Sequence, residues 1–241
     1  MKIVVFGGNG FVAQELIRQS LNNPSVTCLV VLSRSPVKVP EGLVATKLRP
    51  VVVGGYDEYP ESIRREFTCA NACIWTVGIT PGKAKSYDFE EVRRMSETYP
   101  LAGLRALVES NVAEHFRFLY MSGDKCERDQ TKPPALIFGK FLLMRGEVEN
   151  KLLSLAEQYK DKVQLQIVKP AFIFSSSTTT GLITITIAKV LRSAFSFLVA
   201  LTVEEAAAAM LSQVLGGFEK ETLDTKDMLR LSKKAVEKDH S

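Results

Sequence analysis

The sequence predicts an α/β protein with a doubly wound parallel sheet and a small C-terminal segment capping it. Three observations carry the prediction. Apolar runs alternate with helical patterns as far as Lys169-Pro170. Several runs are continuously apolar, as strands buried on both faces of a parallel sheet are. The first run, Lys2 to Phe6, enters a helix through Gly7-Gly8-Asn9-Gly10, a turn that leaves unpaired N–H groups at the helix start.

Each element has its own signal. Phe11, Val12, Leu16, Ile17 and Leu21 recur at helical spacing, and Asn22-Asn23-Pro24 stops that helix. Val26 to Leu32 is a second strand and Leu48 to Val53 a third. A helix over Asp57 to Phe67 precedes a fourth strand, Ala72 to Val77. Ser86 to Asn111 is expected as helix, interrupted at Tyr99-Pro100 because proline lacks an N–H and clashes with the turn before it. Phe116 to Met121 is strand five, Pro134 to Tyr159 a long helix, and Val163 to Val168 strand six. Beyond Pro170 the alternation fails. A polar run, Ser175 to Gly181, leads to an apolar segment ending at Leu201, a helix over Val203 to Leu215, and a charged amphipathic tail. Residues 1–170 are therefore expected as the nucleotide-binding core, with 171–241 packed on it as pocket segment and terminal helices.

Composition excludes several classes. A net charge of +4 over 31 basic and 27 acidic residues, without a long basic block, argues against nucleic-acid binding. Lys189 and Arg192 break the apolar stretch from Gly181 to Leu201, so no membrane span is expected. Cys28, Cys69, Cys73 and Cys126 have neither metal-ligand spacing nor the density of a disulfide framework, so no metal is expected. The chain opens on the strand that the glycine turn requires. The expectation is a cytoplasmic protein without a signal peptide, with peripheral contact at an organelle membrane left open. A homodimer through the apolar C-terminal stretch is equally open.

The glycine turn reads in two frames, Gly8-x-Gly10-x-x-Ala13 of the general Rossmann fingerprint and Gly7-x-x-Gly10-x-x-Ala13. Its position between strand and helix makes it a candidate pyrophosphate site. At the end of strand two, where Asp or Glu would meet a ribose diol, stand Ser33-Arg34-Ser35. Arg34 can pair with a 2′-phosphate, which favours NADP(H) over NAD(H). Lys38 and Lys47 could share that role. Gly78 to Lys83 and Ser122 to Lys125 follow strands four and five on the same sheet edge, where ribose and nicotinamide would lie.

The segments VVFGGNGFVAQELI, LSRSP, WTVGITPGKAK, FLYMSGDK, FLLMRGEVENKLL, IVKPAFIF and TVEEAAAAML occur in order over nearly the whole chain. In them the sequence resembles atypical short-chain dehydrogenase/reductases of the NmrA-like class, and within it the Tat-interactive-protein-like oxidoreductases and their fungal relatives. The resemblance implies a Rossmann-like fold, with Gly7, Asn9, Gly10, Phe11 and Val12 at the pyrophosphate. It places Arg34 at the 2′-phosphate, Gly78 near the ribose, Pro170 beside the nicotinamide and Ser122 at the catalytic serine position. It also implies a Tyr-x-x-x-Lys pair just before Gly146, where this chain has Phe141 and Arg145.

That departure removes the usual proton relay, in which a phenol exchanges a proton with the substrate and a lysine lowers its pKa and holds the ribose. Arg145 could still donate to a ribose hydroxyl, but its charge is permanent. None of the six tyrosines has lysine four positions later. Ser122, Lys125, Lys140, Tyr87 and Tyr99 are the candidate substitutes. Lys140 should point about 100° away from Phe141, while His115 and His240 offer little. Phe172, Phe174, Phe195 and Phe197 could line an apolar substrate pocket. Three functions stay open: an NADP(H)-dependent oxidoreductase acting on a small apolar carbonyl or alkene, a cofactor-binding protein without turnover, and an isomerase or cyclase using the same cleft.

Overall fold

The computed structural model describes residues 1–38, 45–175 and 200–239 of the chain. β1 (Lys2–Phe6) leads through the glycine turn into α1 (Phe11–Asn22), then β2 (Cys28–Ser33), β3 (Leu48–Val52), α2 (Glu61–Phe67) and β4 (Ala72–Trp75). Two short helices, α3 (Pro81–Ala84) and α4 (Phe89–Arg93), precede α5 (Tyr99–Glu109). β5 (Phe116–Met121), α6 (Gly139–Glu157) and β6 (Val163–Lys169) complete the predicted alternation. β7 (Ile173–Phe174), β8 (Leu201–Thr202), α7 (Val203–Gly216), β9 (Thr222–Asp224) and α8 (Thr225–Asp239) follow.

The seven-stranded sheet has the order β3-β2-β1-β4-β5-β6-β9, and every neighbouring pair is parallel. The doubly wound fold expected from the sequence is therefore present, and strand order reverses between β1 and β4, the place where such sheets open a ligand crevice. The seventh strand was not expected. Its residues, Thr222-Leu223-Asp224, are too few to show periodicity, and β6 supplies its register. β7 and β8 pair with each other in a separate parallel ribbon.

Alternation along β1 divides the core. Val4 and Phe6 face an aromatic layer with Tyr56, Tyr59, Phe67, Trp75 and Phe118, whereas Ile3 and Val5 face an aliphatic layer with Leu16, Ile17, Ala206 and Met210. Phe6 stacks on Trp75 with centroids 4.5 Å apart. Full burial of such a side chain is worth about 1.5–3 kcal/mol. At the start of α7, Thr202 Oγ1 accepts the Glu205 N–H at 3.1 Å while Glu205 Oε2 accepts the Thr202 N–H at 2.9 Å, a reciprocal cap.

Three predicted helices differ from those observed. The Asp57 to Phe67 helix begins at Glu61, immediately after Pro60 at its N-cap. The Ser86 to Asn111 helix is broken by a π-turn over Arg94–Thr98 before α5 resumes. Pro100 supplies no N–H for the regular ladder, so the interruption expected there takes the form of a wider turn. The helix expected from Pro134 begins at Gly139. Pro133 and Pro134 donate no N–H, and Phe138 adopts φ +58°, outside the right-handed helical region. The apolar segment before Leu201, with Phe195 and Phe197, lies outside the described residues, as does His240. Among the described residues no helix is long and apolar enough to cross a membrane, and no group of three His, Cys, Asp or Glu could hold a metal ion.

Candidate functional site

The crevice at the carboxyl ends of β1 and β4 is built from backbone outward. Gly7 adopts φ +91°, which L side chains rarely reach, and the N–H groups of Gly7 and Gly8 both donate to the Leu32 carbonyl, at 2.9 and 3.0 Å. This pins the turn to β2. A Cβ on Gly8 would lie 2.4 Å from Val31 Cγ1, so only glycine permits the approach. Gly10 closes the turn by donating to the Gly7 carbonyl at 2.7 Å, and Gln14 makes the first helical bond back to Gly10 at 3.0 Å. The N–H groups of Phe11, Val12 and Ala13 thus have no backbone acceptor, the arrangement that receives a pyrophosphate.

Asn9 has a role that the sequence did not reveal. Its side-chain amide donates to the Ser35 carbonyl, Ser35 Oγ and the Pro36 carbonyl at 2.9–3.2 Å, and its Oδ1 accepts the Lys38 N–H. Asn9 therefore clamps the glycine turn to the loop carrying Arg34. Arg34 is exposed, and among the described residues no acid lies within ion-pair distance of it. Its charge acts on buried Tyr56, whose phenol is pushed up to about 12 by burial, with Arg34 opposing. Lys47 belongs elsewhere: its ammonium donates to the Leu21 and Asn23 carbonyls at the far end of α1. It caps that helix at the amino edge of the sheet, away from the crevice.

Across the reversal point, α6 brings Arg145 over the ends of β4 and β5. The residue is only 5% exposed. Nη2 reaches the Met121 carbonyl at a long 3.4 Å, the guanidinium carbon stands 5.3 Å from the Tyr120 ring centroid, and Nη1 has no partner. Burial works against this charge, but Tyr120, Cys126 and Glu149 outweigh it and hold the guanidinium above its ordinary pKa. Gly78 lies directly against it: a Cβ there would be 3.8 Å from Nη1, with nothing else within 4 Å. Tyr120, absent from the sequence-based candidates, is the platform. Its phenol is fully buried, unpartnered and pushed up to about 12 by burial. The signal available was that Tyr120 and Ser122 share one face of a strand beside the Arg145 helix.

Ser122 sits at the end of β5, but its hydroxyl donates to Glu149 Oε1 at 2.5 Å. Glu149 is wholly buried and also accepts from Arg128 at 2.7 Å and Lys169 at 3.1 Å. Ser122 is thus tied into a buried charge cluster under α6. Pro170 is buried beside it, its carbonyl accepting the Asp124 N–H at 3.0 Å. The substitute proton donors are dispersed. Tyr99 is buried in the aromatic layer 5.6 Å from Tyr56, Lys125 is exposed, and Lys140 and Tyr87 line the rim of a cavity. That cavity, of about 480 Å³, lies between α3, α4 and the start of α6, with Pro81, Phe89, Phe138 and Phe141 in its wall. Phe172 is 60% exposed and Phe174 half-buried; neither is among the residues lining it.

No family model matches the chain. The leucinostatins biosynthesis cluster protein T of Purpureocillium lilacinum is 23% identical over 125 residues, which are 51% of this chain and 43% of that protein. The chain thus spans less than half the length of that curated relative. Among solved structures, the dTDP-glucose 4,6-dehydratase DesIV of Streptomyces venezuelae superposes with TM-score 0.66 at 12% identity, covering 100% of this chain and 82% of that one. MoeE5 in complex with UDP-glucuronic acid and NAD gives 0.66 at 13% identity, covering 93% and 75%. Vestitone reductase from alfalfa gives 0.62 at 14%, covering 92% and 76%. At these identities the likeness is one of architecture, and the chain has the Rossmann-like fold shared by these dehydratases and reductases.

Proposed function

We propose that the chain binds NADP(H) in the glycine-turn crevice and works as an oxidoreductase on a small apolar carbonyl or alkene. The observation that carries this reading is the unpartnered Arg145 Nη1 beneath Gly78, on the crevice whose other wall is the glycine turn. In this reading the free N–H groups of Phe11, Val12 and Ala13 receive the pyrophosphate, and Asn9 fixes the loop that aims Arg34 at the 2′-phosphate. Arg145, against Gly78, would hold the nicotinamide ribose, and Pro170 would flank the nicotinamide. The bound cofactor supplies a hydride. MoeE5 was solved with NAD and vestitone reductase is a reductase, which supports a nicotinamide dinucleotide here. The motif resemblance supports the narrower NmrA-like grouping.

The residues of this chain limit the chemistry. Phe141 has no proton to give, and Ser122 is held by Glu149. Arg145 stabilises negative charge on a substrate oxygen but gives up no proton at ordinary pH. The arrangement suits a reaction whose proton comes from solvent, as in reduction of a conjugated alkene. The same two substitutions favour a second reading, a cofactor-binding protein without turnover. NADPH consumption by purified protein over a panel of enones, ketones and aldehydes separates the two: turnover is expected, fastest with enones. Tight NADPH binding with no turnover, and turnover appearing in the Phe141→Tyr/Arg145→Lys double variant, would establish the second instead.

A further inference from the structure

The crevice and the cavity beside it adjoin along α6. Phe141 and Arg145 are four residues apart on α6, hence on the same face one turn apart, about 6 Å along the axis. Gly78 and Pro81 lie on one loop, with Gly78 against Arg145 and Pro81 in the cavity wall with Phe141. The two pairs stand as successive rungs along α6, charged at the Gly78 end and apolar at the Pro81 end.

The charge at the inner rung is unbalanced. Three buried or half-buried cations, Arg145, Arg128 and Lys169, are arranged around Glu149, and of these Arg128 has a second carboxylate in Glu221 at 2.7 Å. That carboxylate is already shared by Arg128, Lys169 and the Ser122 hydroxyl, and it makes no hydrogen bond to Arg145. The buried Nη1 has an unfilled donor position, and a bound anion fills it. The charged residues lining the cavity among the described residues are Lys85 and Lys140; no acid lines it. Its wall is otherwise mainly aromatic and aliphatic, and Leu136 there is fully exposed.

We infer that crevice and cavity serve one ligand, an apolar carboxylate, with an alkyl or aryl body in the cavity against Phe141 and a carboxylate oxygen taking an N–H of Arg145 Nη1. This deepens the oxidoreductase reading, on which it rests, by naming the substrate class. Nη1 carries two N–H groups, so one can serve a ribose hydroxyl while the other takes the anion. Arginine, unlike lysine, holds both in a fixed plane.

The test is calorimetric titration of the NADPH-saturated and the cofactor-free protein with hydrocinnamate and with its neutral isostere hydrocinnamide. The acid is expected to bind about tenfold or more tighter than the amide, the gain of one charge-assisted hydrogen bond. Arg145→Met should bring the acid down to the level of the amide, while Phe141→Trp weakens both alike. Equal affinities in the unaltered protein, or no binding of either, overturn the inference. So does an acid preference that survives Arg145→Met. If Arg145→Met does not fold, the Lys85→Met/Lys140→Met double variant decides: a retained preference supports Arg145, and a lost one assigns the anion to the rim lysines. NADPH binding without acid preference overturns this inference alone. Acid preference without NADPH binding overturns the cofactor reading alone.

Discussion

Nη1 of Arg145 lies 3.8 Å from the point where a side chain on Gly78 would begin, and it has no hydrogen-bond partner. A buried N–H donor left unfilled is a cost to the fold and is explained by what it binds. Arg145→Met should therefore leave the ligand-free protein at least as stable as the original, with a change between zero and about 4 kcal/mol in the stabilising direction. Urea denaturation without ligand measures it. A loss of more than about 2 kcal/mol would mean that Arg145 is a structural residue.

Glu149 behaves in the opposite sense. It is wholly buried and answers Arg128, Lys169 and Ser122 together. Glu149→Gln leaves Lys169 without a counter-charge, while Arg128 keeps Glu221 at 2.7 Å, and should cost about 3 kcal/mol in the same denaturation experiment. Ser122→Ala should cost about 1.5–3 kcal/mol, and a double-mutant cycle with Glu149→Gln should return a coupling of similar size. No coupling would free Ser122 from this structural tie and restore it as a catalytic candidate.

Gly146 on α6 packs where no side chain fits: a Cβ would lie 1.7 Å from the Glu127 carbonyl oxygen. Because the obstacle is backbone, Gly146→Ala must push α6 away from the loop that carries Cys126 and Arg128. A loss of about 3 kcal/mol or more is expected, against about 1 kcal/mol or less for Gly82→Ala, where nothing stands within 4 Å. Equal effects would show that α6 is not held this tightly.

Alkaline pH tests the aromatic layer. Burial pushes the Tyr56 and Tyr120 phenols up to about 12, raises Tyr59 further, and lifts the Cys73 thiol well above its ordinary value of 9.0. All four groups bind their protons more tightly folded than unfolded. Their contribution is complete below the unfolded pKa values and is lost as pH rises through the folded ones. Stability should begin to fall above pH 9.0 and fall more steeply above 10.0, by about 1.4 kcal/mol per pH unit for each phenol engaged. Melting curves followed together with tyrosinate absorbance should show buried phenols ionising with unfolding. Ionisation of all six tyrosines well before unfolding would contradict the burial.

Much of this was legible in the sequence, for physical reasons. Continuous apolar runs such as Val26 to Leu32 can be buried only between two helical layers, so six strands and their parallel arrangement followed. The three-residue β9 has no pattern of its own. Helix starts were misplaced where proline and a positive φ governed the backbone, at Pro60 and at Pro134 to Phe138. At the site, the glycine turn reads locally because its chemistry is local. The Ser122–Glu149–Arg128–Lys169 cluster and the Arg145–Tyr120 contact join residues 20 to 27 positions apart, and no spacing rule encodes them.

The central claim is that the glycine turn and Arg34 hold a 2′-phosphorylated dinucleotide. Calorimetric titration with NADPH and with NADH, on the unaltered protein and on Arg34→Ala, tests it most directly. NADPH should bind about tenfold or more tighter than NADH, and Arg34→Ala should bring the two affinities together by weakening NADPH alone. Failure of both to bind, or a preference for NADPH unchanged by Arg34→Ala, would contradict the account.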